Sequence, residues 1–545
     1  MHLHRVQFLP LVLNRILLAR AICAVTALML TATAPAQTPS TADTVRFLDQ
    51  ATFGPNASLV AHVQSIGFEA FLQEQFALPA SSYPNLPLQP TTVPTTCTGT
   101  CVRDNYTMYP LQVTFFKNAL TGPDQLRQRV AFALQQIMVT SGLTITQPSW
   151  MSPYLQVFDN NAFGNFRQLL SDITLNPAMG RYLDMAGNNK SAPNENYGRE
   201  ILQLFTIGLN LLNSNGSVVT DATGNPVPSY TQATVDASSR VFTGWNLAAA
   251  PAPGVPNYTS PMVLTPSNHD GGAKTLLNGV TLPAVTTVTA ATATNELNAA
   301  LDNIFQHQNA GPFIGRNLIE HLVTSNPSPA YISRVAAAFN DNGSGVRGDL
   351  KAVIRAILLD PEARNPSPSA DFGHLVEPPV FIARFLRAFN TTAATTDFVL
   401  SDSYLPSGLQ MGEDLFRSPS VFNYYPPVYN VPVANINGPE FAIQSNSSAF
   451  ARVNFVAETT YKTMPVSGDR PMGSWIDVSS FLPYANSPFQ LTGALNSLLL
   501  HGAISPNLRA AVNNALATMS SATPAARVQR AVYLVASSPE YMVER

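Results

Sequence analysis

The chain has 545 residues, of which 45% are hydrophobic and only 12% are charged. Soluble domains carry about a quarter charged residues, so this composition describes a lightly charged chain that can bury a large core, and it excludes intrinsic disorder. The 30 Lys and Arg residues against 33 Asp and Glu residues give a net charge of −3. This balance provides no basic surface for a phosphate backbone, so we expect no nucleic-acid partner.

The first 36 residues have the pattern of a secretory signal peptide. Three arginines precede an apolar run at 21–30, and the small residues Ala34 and Ala36 occupy the −3 and −1 positions of a cleavage site. The alternative is a membrane anchor, but the apolar run is shorter than the roughly 18 residues that a membrane span requires. The sequence therefore predicts cleavage after Ala36, export to the periplasm or beyond, and no stable membrane insertion of the mature chain.

Two cysteines remain after cleavage at Ala36. Cys97 and Cys101 are four positions apart, with Gly99 between them. In an oxidising compartment this spacing predicts a small disulfide loop. A metal-binding pair is the alternative, but no second Cys or His pair at ligand spacing accompanies it.

The predicted elements are mostly helices. Apolar residues recur at helical spacing over 41–50, 58–75, 126–141, 165–174, 177–183, 194–207, 294–307, 312–324, 329–339, 350–359, 378–389, 491–500, 506–519 and 524–537. Segments rich in Pro, Gly and Thr predict loops over 78–104, 213–230, 250–296 and 390–480, with a few short hairpins in the second and third. We therefore expect a mainly α fold: one large domain over 37–545, with a loop- and strand-rich insertion at about 213–296 and a helical C-terminal end at about 488–545.

Seven segments together resemble a known bacterial family. They are Phe47–Pro55 (FLDQATFGP), Arg127–Ser141, Asn176–Asp184 (NPAMGRYLD), Ala192–Gly208 (APNENYGREILQLFTIG), Tyr230–Trp245 ending in RVFTGW, His269–Gly271 with Lys274, and Ser418–Tyr425 (SPSVFNYY). In this order they resemble the family called domain of unknown function 1800. The resemblance implies an exported, mostly helical protein, often encoded beside a second exported protein that is a candidate partner. It implies no established reaction, cofactor or catalytic residue.

One position departs from the family pattern. The segment after Tyr230 usually carries a Thr-Glu pair, and this chain has Thr231-Gln232. Any catalytic role of that acid is therefore in doubt in this chain.

The helix predicted over 194–207 carries the best candidate for acid–base chemistry. Asn194 is placed to cap the helix, and Glu195 favours its positive end. Asn196 and Glu200 lie on one stripe of the helix, among apolar neighbours that indicate burial. A buried Glu200 is expected to have a raised pKa or to lie near a metal ion.

The alternative for this helix is a polar network that only fixes its packing. Glu195 and Arg199 are spaced to form an ion pair. Arg199 or Arg240 would then serve as the counter-ion of Glu200. Both interpretations place Arg240 near the 194–207 helix, so it is also a candidate binding residue.

His269 and Asp270 form the second candidate, in a loop with Gly271 and Gly272. Histidine is the usual proton shuttle near neutral pH. Together with Asp184, Asn194 and Glu200, His269 would supply the oxygen and imidazole ligands of a divalent metal site. The alternative is a surface turn in which Asp270 caps the two glycines.

The segment 418–427 interleaves aromatic residues with Asn and Pro. Tyr424 is the candidate for stacking on a sugar ring or a peptide. Ser420 is a weak candidate nucleophile because no Gly-x-Ser-x-Gly elbow surrounds it. The alternative is an ordinary loop packed on the core.

The sequence has no Rossmann, Walker A, zincin or c-type haem motif, so those functions are disfavoured. We expect a cleft formed by the 194–207 helix, the segment from Arg240 to Trp245, and the His269–Asp270 loop. The hypothesis is a hydrolase of an extracellular or envelope polymer, with Glu200 and His269 as acid and base. The alternative is a non-catalytic secreted scaffold that binds a glycan or a partner protein.

Overall fold

The computed structural model describes residues 38–365, 369–393, 399–462 and 474–545. The predicted signal peptide lies outside the described residues. The α-helices within these ranges are α1 Thr41–Ala51, α2 Ala57–Ile66, α3 Phe68–Ala77, α4 Thr100–Tyr106, α5 Tyr109–Thr121, α6 Gln125–Ile137, α7 Pro148–Asn161, α8 Phe166–Thr174, α9 Pro177–Tyr182, α10 Asn196–Gln203, α11 Gln232–Val241, α12 Ala290–Phe305, α13 Ala310–Leu322, α14 Pro329–Asn340, α15 Leu350–Leu358, α16 Pro378–Ala388, α17 Asn446–Tyr461, α18 Pro488–Leu499, α19 Pro506–Ala517, α20 Pro524–Ala536 and α21 Pro539–Met542.

The strands are short and pair in antiparallel twos. The pairs are β1 Trp245–Asn246 with β2 Val263–Leu264, β3 Lys274–Thr275 with β4 Thr281–Leu282, β5 His374–Leu375 with β8 Val543–Glu544, and β6 Thr392–Ala393 with β7 Ser474–Trp475. The prediction of a mainly α fold with a few short hairpins is confirmed. Residues Ser40–Arg545 form one compact unit. Among the described helices, none has both the length and the hydropathy to cross a bilayer.

Prolines start helices as well as stiffening loops. Five helices begin with a Ser or Thr N-cap followed directly by Pro, and each cap oxygen accepts a backbone N–H of the first turn: α14, α18, α19, α20 and α21. Proline suits the first helical position because its ring fixes φ and its missing N–H would have no partner there. Part of the high proline content is therefore explained by helix starts.

Six of the described helices were not predicted from the sequence: α4, α5, α7, α11, α17 and α21. Burial explains why α7 gave no signal. Helix α7 is buried on most of its sides and contains Pro153, so it shows no alternation of polar and apolar faces. Helices α5 and α17 also have weak helical periodicity. In each case tertiary packing stabilises the helix where local pattern gives no signal.

The disulfide predicted between Cys97 and Cys101 is present, with its Cα atoms 5.2 Å apart. The second cysteine lies in the first turn of α4. The bond therefore fastens the end of the long loop that follows α3 to the start of the next helix.

Three ionisable side chains far apart in sequence meet in the core. Asp49 on α1 contacts the Arg384 guanidinium on α16 at 3.0 Å and the His501 ring, just after α18, at 2.6 Å. All three side chains are buried. This cluster joins the N-terminal helix to α16 and to the C-terminal helices.

A buried acid in α7 predicts how stability depends on pH. Asp159 is fully buried, and burial raises its pKa from 3.8 to about 7. The unfolded chain ionises this group from about pH 4 upward, whereas the native chain keeps it protonated until about pH 7. Stability is therefore expected to fall by about 4 kcal/mol across this interval, since each pKa unit corresponds to about 1.4 kcal/mol.

The test is urea unfolding of the native protein and of Asp159→Asn at several pH values. We expect the variant to lose this part of the decline in unfolding free energy, because Asn stays neutral and still accepts the backbone N–H of Tyr83. The control is Asp236→Asn on the exposed side of α11, which should keep the native slope. An equal slope in native protein and Asp159→Asn would contradict the prediction.

Candidate active site

A cavity of about 350 Å³ opens between α13, the segment that follows α10, and the loop 421–428. Its walls are mostly apolar, and the polar residues of its lining are Gln136, Gln203, Asn210, Arg316, Asn317, Glu320, His321, Asn423, Tyr425 and Glu440. Four apolar side chains at its edge are exposed to solvent: Leu209, Val218, Phe422 and Val428. An apolar pocket with a few convergent polar groups is the usual form of a small-molecule site.

Glu440 is the central ionisable group of this cavity. It lies on a short 3-10 turn, Pro439–Ile443, and only 5% of it is exposed. Its Oε1 lies 3.8 Å from His374 Nδ1, and its buried Oε2 makes no hydrogen bond within the described residues. Burial raises the pKa of Glu440 to about 7; His374 lowers it, whereas Glu377 and Glu320 add to the increase. The group therefore exchanges a proton near neutral pH.

Helix α13 supplies a second carboxylate one turn from a cation. Arg316 Nε donates to Glu320 Oε1 at 2.8 Å, an i,i+4 pair on one face of the helix. Burial raises the pKa of Glu320, and the Arg316 guanidinium opposes that change. Both side chains line the cavity, so the helix presents an acid–cation pair to any ligand inside it.

His374 connects these acids to the C-terminal strand. Its Nδ1–H donates to the backbone oxygen of Glu320 at 3.0 Å, and its Nε2 lies 3.6 Å from Glu544 Oε2. Burial disfavours the imidazolium, but the carboxylates of Glu544 and Glu440 outweigh that effect and raise the pKa of His374 to about 9. A charged imidazole therefore lies behind Glu440 at neutral pH.

A hydrogen-bonded group beside Glu440 holds the aromatic loop in place. Glu377 Oε2 accepts from Gln136 Nε2 at 2.7 Å and from the Tyr425 hydroxyl at 3.0 Å. Gln136 Oε1 in turn accepts from Asn423 Nδ2 at 2.6 Å. Arg129 approaches the other Glu377 oxygen at 3.8 Å. These contacts fix the orientation of Tyr425 in the cavity wall.

Behind the cavity lies a carboxyl group without a partner. Both oxygens of Glu413 are buried and form no hydrogen bond to the described residues. Burial raises the pKa of Glu413 well above its usual range, and the neighbouring Glu377 and Asp402 add to this effect. Burial also lowers the pKa of Arg452 to about 10, which Glu413 and Glu440 partly oppose. Glu413 therefore favours its protonated form more strongly than an exposed carboxyl group does.

His321 lines the cavity next to Glu320. Burial, Arg129 and His374 lower its pKa to about 3, so the imidazole is neutral at ordinary pH. Its backbone oxygen accepts from Arg129. A neutral ring can donate or accept one hydrogen bond to a ligand, but it brings no charge to the cavity.

The predicted helix over 194–207 begins later and ends earlier than expected. Helix α10 begins at Asn196, and Glu195 rather than Asn194 is its N-cap residue. Asn194 Oδ1 still accepts the backbone N–H of Asn196, whose amide donates to Asp184. The last predicted turn, 204–207, lies outside the helix, and Leu204 and Ile207 in this turn line the cavity.

Glu200 is half-buried, and its Oε2 makes no hydrogen bond to the described residues. Burial raises the pKa of Glu200. The predicted ion pair of Glu195 with Arg199 is present at 2.9 Å, and Arg199 also donates to Gln232. Arg240 instead forms a two-pronged pair with Asp270, so it is not the counter-ion of Glu200.

His269 is buried with both ring nitrogens in contact with protein groups. Its Nδ1 lies 2.8 Å from the backbone oxygen of Thr243, and its Nε2 lies 3.3 Å from Glu296 Oε2. Lys274 Nζ donates to the same Glu296 oxygen at 2.7 Å. The alternative turn is also present, because Asp270 Oδ1 accepts the backbone N–H of Gly272. The catalytic roles given to His269 and Asp270 stay predictions.

The proposed metal ligands belong to separate networks. Asp184 and Asn194 contact Asn196, whereas His269 contacts Thr243 and Glu296. In the part of the chain that the structure describes, no three His, Cys, Asp or Glu side chains are arranged to hold a metal ion.

Neither of the aromatic candidates, Tyr424 and Trp245, lines the cavity. The Tyr424 hydroxyl donates to the backbone oxygen of Asp414 and accepts the backbone N–H of Arg417. Trp245 is buried in β1 opposite Leu264. Two other aromatic residues of the same segment, Phe422 and Tyr425, line the cavity.

The cavity acids gave little signal in the sequence. Glu320 lies within an ordinary amphipathic helix, and Glu440 follows Gly438-Pro439 in a segment predicted as loop. They approach one another only through the fold. The signals that point to the cavity are indirect: the last predicted turn of the 194–207 helix and the SPSVFNYY segment both contribute wall residues.

Fold and site together define a mainly helical protein in which two buried carboxyl residues, Glu320 and Glu440, line an apolar cavity. A family model described as a protein of unknown function (DUF1800) matches residues 46–543. The chain belongs to this family. No curated protein and no solved structure matches it.

Proposed function

We propose that the cavity is the active site of a hydrolase that uses carboxylic acid–base catalysis, with Glu440 as the general acid. The observation that carries the proposal is Glu440, a residue of the cavity lining whose carboxyl group is buried, keeps one oxygen without a hydrogen bond to the described residues, and has a pKa of about 7. An acid is most effective when its pKa lies near the working pH. An acid that lies in a cleft and has a strongly shifted pKa is a candidate functional residue.

The second carboxylate supplies the complementary role. Glu320, paired with Arg316, accepts a proton from the attacking water as that water's oxygen bonds to the scissile centre. Glu440 gives its proton to the leaving oxygen as the bond to that oxygen breaks. Proton transfer by two carboxyl groups on one substrate is the arrangement that hydrolysis of a glycosidic bond requires. Given the export expected from the N-terminal segment, the substrate class is an extracellular or envelope compound.

A screen of chromogenic glycosides and esters with the purified full chain tests the proposal. Below about pH 7 Glu440 is protonated and competent as an acid; above it the acid form decreases about tenfold per pH unit. We therefore expect kcat/KM to fall on the alkaline side with an apparent pKa near 7. Activity that rises through this interval, or the absence of turnover of every substrate, would contradict the assignment.

Binding without catalysis is the second candidate, and the exposed apolar edge favours it. Leu209, Phe422 and Val428 keep 45–71% of their surface exposed around the cavity mouth. Exposed apolar groups at a concave site mark surfaces that bind ligands or partners. A glycan- or partner-binding scaffold would bind a ligand in this cavity with no turnover, and Glu440→Gln would leave that binding unchanged.

A further inference from the structure

A second cavity of about 560 Å³ lies next to the first and has a different chemistry. Hydroxyl, amide and carboxylate side chains dominate its lining: Asn215, Ser217, Ser325, Asn326, Ser328, Glu362, Asn365, Ser369 and Asp371. Side chains of these types hydrogen-bond to hydroxyl groups from both the donor and the acceptor side. This polar cavity therefore suits a ligand rich in hydroxyl groups.

The two cavities share a wall. Arg316 lines both of them. One loop also lines both, with Leu212 and Val218 facing the apolar cavity and residues 215–217 facing the polar one. The cavities are therefore adjacent compartments on the two sides of Arg316.

The shared residue Arg316 has N–H groups that do not donate to any described residue. Its Nε donates to Glu320, whereas neither terminal nitrogen hydrogen-bonds to a described residue, and 39% of the side chain is exposed. A guanidinium fork with free N–H groups donates to ligand oxygens on either side of it. Because Glu320 is the partner of the same guanidinium, a ligand oxygen held here lies next to Glu320, the proposed base.

Ser325 gives the polar cavity an unmet hydrogen-bonding group. Only 2% of the residue is exposed, and its hydroxyl makes no hydrogen bond to the described residues. A buried hydroxyl without a partner costs free energy that a bound ligand can recover. Glu362 and Asp371 also line this cavity, against the single cation Arg316. An anionic ligand is therefore disfavoured, and a neutral one fits.

From these observations we propose that the two cavities form one elongated cleft for an amphiphilic glycoside. Its uncharged sugar part occupies the polar cavity, and its apolar aglycone occupies the apolar cavity and reaches the exposed edge at Val428. The bond between the two parts then lies beside Arg316, within reach of Glu320 and Glu440. This last statement rests on the proposed function; the binding itself does not.

Calorimetry with monomeric octyl maltoside tests the cleft, with maltose and octanol as its two halves. We expect octyl maltoside to bind the full chain at least about tenfold more tightly than either half, because each compartment contributes its own contacts. Ser217→Trp fills the polar cavity and Val218→Asp places a charge in the apolar one. Each substitution is expected to weaken octyl maltoside binding about tenfold or more, the loss of about 1.4 kcal/mol.

The matched control is Ser214→Trp, in the same loop but outside both cavities. It should keep native affinity. Native affinity in Ser217→Trp together with weakened binding in Val218→Asp would restrict the ligand to the apolar cavity and overturn the proposal. Equal affinities for octyl maltoside and octanol would also overturn the proposal. Tight binding of octyl maltoside without release of octanol would contradict the hydrolase assignment alone, whereas weak binding would contradict the cleft, so the two failures give different results.

Discussion

Replacing Glu440 with Gln is expected to lower kcat/KM by about 10²–10⁴-fold on any substrate found in the screen, the range that removal of a general acid produces. The amide keeps the shape of the side chain but cannot give up a proton. The alkaline limb near pH 7 should disappear with it. Parallel measurements of kcat/KM against pH and of thermal unfolding separate lost chemistry from lost structure.

Two controls make this result specific. Glu200→Gln changes the carboxyl group that the sequence favoured, outside the cavity lining, and is expected to keep most of the activity. Glu458→Gln changes a surface carboxylate on α17 that pairs with Lys462 and should change nothing. If Glu200→Gln abolished turnover while Glu440→Gln did not, the acid would be Glu200 and the cavity assignment would be wrong.

The second large effect is expected at the buried cluster of Asp49, Arg384 and His501. Asp49→Ala leaves the Arg384 guanidinium and the His501 ring buried without their carboxylate. Removing one partner of a buried ion pair costs about 3–5 kcal/mol. We therefore expect the free energy of unfolding, measured by urea denaturation at neutral pH, to fall by that amount.

An exposed ion pair provides the comparison for Asp49→Ala. Glu69 on α3 meets Arg355 on α15 at 2.8 Å, and about half of each side chain is exposed. Because exposed pairs contribute about 0–1 kcal/mol, Glu69→Ala should be almost neutral. A loss of unfolding free energy in Asp49→Ala no greater than that in Glu69→Ala would show that the buried cluster does not hold the helices together.

Periodicity predicted the helical class and most helices, because amphipathic segments such as the one ending at Leu358 show one apolar face. It failed where burial removes the polar face, as in α7. The disulfide followed from spacing because Cys97 and Cys101 close a local loop. Local rules were therefore sufficient wherever the structural cause was itself local.

The candidate site could not be predicted in the same way. Glu440, His374 and Glu320 come from a turn, a two-residue strand and a helix that are distant in sequence. Their pKa values depend on burial and on the charges of one another, and a local sequence pattern predicts neither. His269 lies outside this cavity, with its ring buried against Thr243 and Glu296, and its catalytic role stays a prediction.

The buried cluster of Asp49 and His501 also sets a limit on how the chain acquires its structure. The contact joins residues 452 positions apart. Loop closure over such a distance is entropically unfavourable, and folds that depend on distant contacts form slowly. This contact therefore cannot form until the chain has been synthesised as far as His501.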